Sequence, residues 1–335
     1  MSFDPILLIG GAGIVGRQTA ELLRSAHPGV PLLIAGRNLE KASEAAASLG
    51  HAEGVKIDFA DDDLGLAGRP ISAMAIFFTD VTTAALRFAQ RRGVPYLSIS
   101  PALHEVGPDI AAYMQRPTAA PVVLGTEWLV GATTIPTLEF AKSFKRVDAL
   151  RLGAVLGERD ETGPAGFDDL ERQTQTVPAI QARRHGRWIW RQGDDLQAEL
   201  QTLDGTTLPA MALSPHDVVA LATETGAPNA EFNLAIRTAA NHAHGESMST
   251  EILIDLAGID HADQPLATRH AVTHADGQMP LTGLGVALVL ERLTGLDGRP
   301  ATSPGLYFPY QLLDAKHYLE RFKQIGGQLV TRDTE

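Results

Sequence analysis

Four glycines near the start of the chain are spaced for binding a phosphate. Gly11, Gly13 and Gly16 fit the pattern G-x-G-x-x-G, and Gly10 extends it to G-x-x-G-x-x-G. The pattern follows an apolar run and opens an amphipathic segment, so it predicts a tight turn between a strand and a helix. The free N–H groups and the positive dipole end of such a helix attract a pyrophosphate. The sequence therefore predicts a dinucleotide site, with a plain tight turn as the alternative.

The second predicted strand ends in Gly36-Arg37-Asn38, where dinucleotide-binding folds usually place an acidic residue that bonds the ribose hydroxyls. An acidic side chain would repel a 2′-phosphate, whereas a guanidinium beside a small glycine offers it a planar set of donors. Arg37 therefore predicts NADP(H) as the cofactor rather than NAD(H). Pairing of Arg37 with Glu40 or Asp58 is the alternative, and Asn38 is interpreted as a helix N-cap or a further donor.

The remaining cofactor contacts are expected where the strands end, because the carboxyl ends of a doubly wound sheet face the ligand crevice. Asp58 ends the third strand, where it lies near the adenine or caps a helix. Arg17 either faces the phosphates or is a solvated surface residue. The predicted cofactor set is Gly10, Gly11, Gly13, Ile14, Val15, Gly16, Gly36, Arg37, Asn38, Asp58, Phe78, Thr79 and Ser98.

The elements that position these residues follow from the hydrophobic pattern. Continuous apolar runs, separated by helical patterns with one apolar face, predict a parallel sheet covered on both faces and hence an α/β doubly wound fold. The expected strands are 5–10, 31–36, 55–58, 73–78, 94–99 and 121–125.

The pattern changes near residue 146 to grouped strands with detached helices, which predicts a second, α+β domain with a mixed or antiparallel sheet. The expected strands are 147–157, 186–193, 198–203 and 232–236, and the expected helices are 215–225, 247–257, 282–294 and 312–330. Apolar strand faces that carry Trp188, Trp190, Phe232, Leu234 and Ile236 predict a homodimer through this domain.

Composition excludes several functions. The 335-residue chain has a net charge of −12 and no cysteine. Without a dense basic run, nucleic-acid binding is not expected, and no apolar run reaches the roughly 18–20 residues that span a bilayer. The first apolar run has no basic stretch before it, so a strand is expected there and not a signal peptide. A cysteine-free chain fits the cytoplasm. His242, His244 and Glu246 find no convincing further ligand, so no metal is expected.

Four stretches resemble the saccharopine dehydrogenase-like oxidoreductase family: "GGAGIVGR…LIAGRNLEKA", "GVPYLSIS" (93–100), "SPHDVVALATETGAPNAEFNLAI" (214–236) and "SPGLYFPYQLL" (303–313). The resemblance implies a Rossmann domain (1–128), a substrate and dimerisation domain (129–302), and a C-terminal segment (303–335) that returns to the Rossmann domain. It also implies hydride transfer at an imine or secondary-amine bond of a small substrate.

The chain departs from the family's pattern in two places. Family members often have Tyr-Val-Asp after strand 5, where this chain has Tyr96-Leu97-Ser98, and Gly-x-x-Pro-Gly after strand 6, where it has "GTEWLVGATTIP" (125–136). Both segments are expected to flank the cofactor cleft. The substrate therefore does not carry over from saccharopine.

Reduction of an imine needs a proton for the nitrogen, which His104, Glu127 or water can supply. The alternative for each residue is a loop side chain that caps or faces solvent. Trp128 either closes over the nicotinamide or is a packing aromatic. Together with Arg37 and the glycine turn, the resemblance implies an NADP-dependent oxidoreductase that acts on a C=N bond, in preference to C=C or C=O. Without an unmistakable catalytic acid, the alternative is a regulatory or redox-sensing protein that binds NADP(H) without turnover.

Overall fold

The computed structural model describes residues 3–99, 105–158, 160, 180–238 and 250–333. These residues form two compact units. The first unit holds the described residues up to Thr126 together with Thr282–Asp314, and the second holds those from Glu127 to Leu281 and from Ala315 onward.

The first unit is built on a seven-stranded sheet. Its strands are β1 (Ile6–Ile9), β2 (Leu32–Gly36), β3 (Ala52–Lys56), β4 (Ala73–Ile76), β5 (Tyr96–Ser98), β6 (Pro121–Leu124) and β15 (Gly305–Tyr307). They lie in the order β15-β6-β5-β4-β1-β2-β3, and every neighbouring pair is parallel. The strand order reverses between β1 and β4, which is the position where doubly wound sheets bind their ligands. The predicted doubly wound parallel sheet is confirmed.

Helices cover this sheet, and the central strands β1 and β4 are buried along their whole length. The helices are α1 (Ile14–Ala26), α2 (Leu39–Leu49), α3 (Ala84–Arg92), α4 (Val106–Tyr113), the part of α7 (Met279–Thr294) from Thr282 onward, and the short α8 (Pro309–Leu312). α7 packs closely on α1, because a Cβ on Gly283 would lie 3.0 Å from the Cβ of Gln18. No helix in the described ranges is long and apolar enough to cross a membrane.

The second unit is built on a nine-stranded mixed sheet. Its strands are β7 (Phe144–Gly157), β8 (Ile180–Arg184), β9 (Arg187–Arg191), β10 (Gln197–Gln201), β11 (Thr207–Leu213), β12 (Asn229–Arg237), β13 (Thr250–Asp260), β14 (Pro265–His274) and β16 (Gln328–Asp333). The order is β10-β11-β12-β7-β13-β14-β16, with the β8–β9 hairpin beside β12. Among the described strands of this second sheet, only β7 and β12 pair in parallel, as the expected mixed sheet requires. The helices of this unit are α5 (Thr134–Ala141), α6 (Asp217–Thr225) and α9 (Ala315–Gln324).

The helix predicted over 247–257 is wrong, because Thr250–Asp260 forms strand β13. β13 pairs with β7 on one side and with β14 on the other, so its backbone N–H and C=O groups are bonded across two ladders. Both faces of the strand are also covered, since Leu253 is as buried as Ile252 and Ile254. A run that is apolar on both faces fits a buried strand as well as a helix, and the two partner strands decide.

The C-terminal segment divides between the two sheets. Gly305–Tyr307 pairs with β6 in the first sheet, whereas Gln328–Asp333 pairs with β14 in the second. The single helix expected over 312–330 is also wrong in extent, because α9 stops at Gln324 and Gly326 has a left-handed φ of +93°. A glycine in that conformation ends a helix, and the chain then continues as an edge strand.

Gly16 and Gly13 offer a test of how this fold is held. A Cβ on Gly16 would lie 2.6 Å from the Cα of Gly11, whereas a Cβ on Gly13 would meet only the carbonyl oxygen of Gly10, at 3.2 Å. We expect Gly16→Ala to lower the free energy of unfolding by about 1–3 kcal/mol, as overpacking does. Gly13→Ala, the matched control, should change it far less. Urea titrations of both variants measure this, and equal effects would contradict the packing described.

Candidate functional site

The predicted glycine turn links β1 to α1. Gly10 has a left-handed φ of +90°, and its N–H donates to the carbonyl oxygen of Ala35 on β2 (2.7 Å). Gly13 then closes the turn through an N–H bond to the carbonyl oxygen of Gly10 (2.9 Å). Side chains at Gly10 and Gly16 are excluded by conformation or by space, so the turn brings the helix start directly against the end of the strand.

The start of α1 is open to an anion. Gly13 is the N-cap, is exposed and carries no side chain, and the first turn of the helix has no acidic residue. Ile14 and Val15 are the first helical residues and are half-buried. The Nε atom of Arg17 donates to the carbonyl oxygen of Ala12 (2.9 Å), which places its cationic side chain back on the turn. Free N–H groups, a helix dipole and a nearby cation together favour phosphate oxygens.

Arg37 follows directly after the end of β2, the parallel neighbour of β1. It is exposed and has no ion-pair or side-chain hydrogen-bond partner among the described residues, so the pairing with Glu40 or Asp58 is absent there. A Cβ on Gly36 would meet no described atom within 4 Å, so space is open beside the guanidinium. Asn38 caps α2, because its side chain accepts from the N–H of Lys41 (3.1 Å).

The other predicted cofactor residues lie where β3, β4 and β5 end. Asp58 is exposed and accepts from the N–H of Ala60 (2.9 Å), which stabilises a turn. Phe78 packs on Phe59 edge to face, with ring centroids 5.9 Å apart, and it also borders Gly10. Thr79 is half-buried, and Ser98 is a buried residue that ends β5. Because these strands are parallel, the structure brings the predicted set to one edge of the sheet.

Of the two predicted proton donors, His104 lies outside the described residues, and Glu127 belongs to the second unit. Glu127 is only 4% exposed, and its Oε2 atom accepts a hydrogen bond from the hydroxyl of Thr134 (2.8 Å) at the start of α5. A carboxyl group at a helix N-terminus is favoured by the helix dipole. The stretch 241–246 also lies outside the description, and the described ranges hold no group of three or more histidine or acidic side chains that could bind a metal ion.

Asp217 is a functional candidate that the sequence did not indicate. It is the first residue of α6, is fully buried, and its Oδ2 atom accepts from the N–H of Trp128 (2.6 Å). Burial raises the pKa of Asp217 to about 7, although hydrogen bonds from the backbone, including that of Trp128, act in the opposite direction. An aspartate at a helix start is common in sequences, and nothing local signals that this one is buried.

Two more titratable side chains accompany this buried pair of acids. Burial lowers the pKa of His216 to about 4, so its imidazole is neutral near pH 7. Burial, together with the charge of Glu127, raises the pKa of Tyr318 well above its ordinary value. The hydroxyl of Tyr318 has no hydrogen-bond partner among the described residues. Charge is therefore costly at Asp217, His216 and Tyr318, and Tyr318 lies near enough to Glu127 for the glutamate's charge to act on it.

The aromatic residues divide between core and surface. Trp128 packs against Phe232 with ring centroids 5.6 Å apart. This contact favours the alternative in which Trp128 is a packing aromatic. Phe232 and Leu234 are buried within the chain itself, so they do not contribute to an open apolar face. Trp188, Trp190 and Ile236 are exposed, as is Met211.

No family model matches the sequence, and neither does any curated protein. Solved structures do match. The saccharopine dehydrogenase (L-Glu forming) of Saccharomyces cerevisiae superposes with a TM-score of 0.72 at 13% identity, over 99% of this chain and 100% of that one. The chain has the saccharopine dehydrogenase-like fold.

Two further structures share this fold. The homospermidine synthase of Legionella pneumophila, in complex with NAD, has a TM-score of 0.64 at 9% identity, over 100% of this chain and 92% of that one. The amine dehydrogenase of Mycobacterium smegmatis has a TM-score of 0.55 at 14% identity, over 94% and 97% of the two chains. Identities this low establish the fold alone.

Asp217→Asn should change how stability depends on pH. The pKa of Asp217 is about 7 in the folded chain and about 3.9 when unfolded, so the folded state binds the proton more tightly. Its contribution to the free energy of unfolding is therefore full below pH 4 and is lost as the pH rises through 7. Between pH 5.5 and 8 we expect the parent to lose about 2 kcal/mol more than the variant, measured by urea unfolding. If the free energies of unfolding of the parent and the variant change equally with pH, the raised pKa of Asp217 is contradicted.

Proposed function

We propose that the protein is an NADP-dependent oxidoreductase that transfers hydride to or from a C=N bond of a small substrate. The observation that carries the proposal is the glycine turn with an unpaired arginine on the neighbouring strand end. Saccharopine dehydrogenase-like folds support many chemistries, so the argument below rests on the site.

Gly13 supports a bound pyrophosphate. The protein itself restricts this position less than Gly16, because a Cβ there would meet a single backbone oxygen, closely, at 3.2 Å, and the φ of −76° suits any residue. Gly16, by contrast, is required by close packing within the chain. An exposed glycine at a helix start fits a backbone that a ligand approaches closely.

Arg37 supports the 2′-phosphate that distinguishes NADP(H) from NAD(H). Its guanidinium is exposed and unpaired within the described part of the chain, and Gly36 leaves room beside it. A phosphate dianion would gain charge-assisted hydrogen bonds there without breaking an existing ion pair. The complex of the Legionella homospermidine synthase contains NAD, so this chain's preference is argued from Arg37 alone.

The C=N bond is the part of the proposal that draws on the comparisons. The three similar structures are named for saccharopine, homospermidine and an amine, and all three words denote nitrogen compounds. When bound, NADPH would supply the hydride that reduces an imine carbon, and the nitrogen then takes one proton. The residues of this chain have to orient the imine and deliver that proton.

Glu127 is the described side chain we propose as the proton source. It follows Leu124, the last residue of β6, by three residues, so covalent geometry keeps the two Cα atoms within about 11 Å of each other. Its carboxyl is held by the Thr134 hydroxyl, and burial keeps bulk water away from it. His104 remains the other predicted donor.

Binding of NADP(H) without turnover is the second candidate function. Glu127 is 4% exposed and already hydrogen-bonded, which favours a structural role for its carboxyl. Such a protein would sense the cofactor's redox state or regulate a partner. Turnover with an amine and a carbonyl compound separates the two functions.

Arg37→Ala should weaken NADPH binding by about 30- to 150-fold, because loss of charge-assisted bonds to the 2′-phosphate costs about 2–3 kcal/mol. NADH affinity should hardly change, since NADH has no group at that position. Lys41→Ala is the matched control, because it removes a second exposed cation four residues further on and should leave both affinities near the parent values. Titration calorimetry measures the affinities of the parent and of both variants for each cofactor. If Arg37→Ala weakens the affinity for NADPH and NADH equally, Arg37 does not recognise the 2′-phosphate.

Turnover is tested with NADPH and a panel of amine and oxoacid mixtures, followed by loss of the nicotinamide absorbance. We expect at least one pair to react and Glu127→Gln to slow it by about 10²–10⁴-fold, the usual worth of a general acid. His104→Gln is run beside it. If neither variant slows the reaction, water supplies the proton and both assignments fail. If no pair reacts, the regulatory alternative is favoured.

We also propose that the protein is a cytoplasmic homodimer. Trp188 and Trp190 expose large apolar surfaces on β9, and such surfaces are usually covered by a partner. Light scattering at micromolar concentration should give twice the chain mass. A monomer mass for the parent would contradict the dimer. If the parent is a dimer and a folded Trp188→Ser variant is a monomer, the dimer forms through this hairpin.

A further inference from the structure

The turn that carries Glu127 has an unusual backbone. Leu129, Val130 and Gly131 follow one another with φ values of 53°, 55° and 97°. Left-handed backbone is disfavoured for residues with a Cβ, and most of all for a β-branched residue such as valine. Three such residues in sequence persist only where the surroundings hold them, and backbone of this kind is concentrated at functional sites.

Glycine is required at the end of this turn. A Cβ on Gly131 would lie 2.9 Å from the Cδ1 of Ile135 and 3.5 Å from the Oε2 of Glu127, in addition to the strain of its φ. The N–H of Val130 donates to the carbonyl oxygen of Glu127 (3.1 Å), so the turn closes back on the acid. The position of the Glu127 carboxyl beside the turn is thus coupled to the turn's conformation.

Asp217 holds the turn from the neighbouring helix α6. Its Oδ2 atom accepts the N–H of Trp128, at 2.6 Å, and Trp128 lies between Glu127 and the first left-handed residue. Asp217 is fully buried, and hydrogen bonds from the Thr133 hydroxyl and from its own backbone N–H also act on its carboxyl and lower its pKa. A buried carboxyl needs such donors, so Asp217 and the backbone of the turn hold each other in place.

We propose that Asp217 is a positioning residue that fixes the 127–131 turn and thereby orients the Glu127 carboxyl for proton transfer. The inference rests on the proposed role of Glu127. Asp217 acts through the backbone of Trp128 and needs no contact with a substrate. The fixed turn keeps Glu127 beside the Thr134 hydroxyl, where a single carboxyl orientation is favoured.

Trp128 provides a direct reporter of the turn. The chain has three tryptophans, and the other two, Trp188 and Trp190, are exposed on β9. In a Trp188→Phe/Trp190→Phe background, the emission comes from Trp128 alone. We expect Asp217→Ala in that background to raise the acrylamide quenching of Trp128 severalfold, because its backbone N–H loses the bond that holds it.

Two matched variants separate positioning from general destabilisation. Asp217→Asn keeps an oxygen acceptor for the Trp128 N–H and should restore quenching to the parent value. Glu127→Gln should leave quenching unchanged, because the turn is held by Asp217 and not by the glutamate's charge. Where a substrate turns over, Asp217→Ala should lower kcat as Glu127→Gln does, with little change in KM.

Parent-like quenching in Asp217→Ala would overturn the proposal. If that variant does not fold, hydrogen exchange of the unmodified protein decides: the Trp128 amide should be as protected as the buried part of α6, and rapid exchange would overturn the inference. Quenching and exchange need no turnover. A protein that passes both but reduces no imine would therefore count against the proposed function and leave the anchoring of the turn intact.

Discussion

The close approach of α1 to the end of β1 is the constraint on which the proposed cofactor site depends. The backbone of Gly11 leaves no room for a side chain at Gly16, and that contact places the first N–H groups of the helix beside the strand end. Gly10 supplies the left-handed turn that makes the approach possible. Gly13 is then left exposed at the helix start, and parallel pairing of β1 with β2 places Arg37 at the same edge of the sheet.

The second unit relies on buried acids as anchors for backbone. Asp217 accepts the N–H of Trp128, and Asp160 accepts the N–H of Gln278 just before α7, at 3.1 Å from each carboxyl oxygen. Burial raises the pKa of Asp160 to about 6, as it raises that of Asp217 to about 7. Carboxyl groups with such pKa values lose or gain a proton close to neutral pH, so their contribution to the free energy of unfolding depends on pH there.

The first sheet followed from the sequence because its evidence is local. Strands β1, β2, β4, β5 and β6 lie within apolar runs, and the glycine pattern marks the turn that ties β1 to its helix. The exceptions are β3, which begins at Ala52 and not at residue 55, and β15, which was not expected. Once the strands are parallel, their ends share one edge, and Arg37 follows from its position after β2. The double glycine at 326–327 is an equally local signal for the end of α9, but the helix had been expected to continue to residue 330.

The second unit was harder to predict because its evidence is distant in sequence. Ile252, Leu253 and Ile254 fit a helix or a buried strand, and the choice is made by β7, about a hundred residues earlier in the chain. Asp217 reads as an ordinary helix start, since only the packed structure shows that it is buried and bonded to Trp128. The residues that flank a side chain in the sequence do not indicate whether the fold will bury it.

The most direct test of the account is the affinity of the unmodified protein for NADPH and NADH, measured side by side by calorimetry at low ionic strength. Arg37 is exposed and has no partner in the described part of the chain, which predicts that NADPH binds at least about tenfold more tightly than NADH. Added salt should narrow this difference in affinity. Equal affinities, or tighter binding of NADH, would contradict the proposal that Arg37 binds the 2′-phosphate, and with it the proposed cofactor.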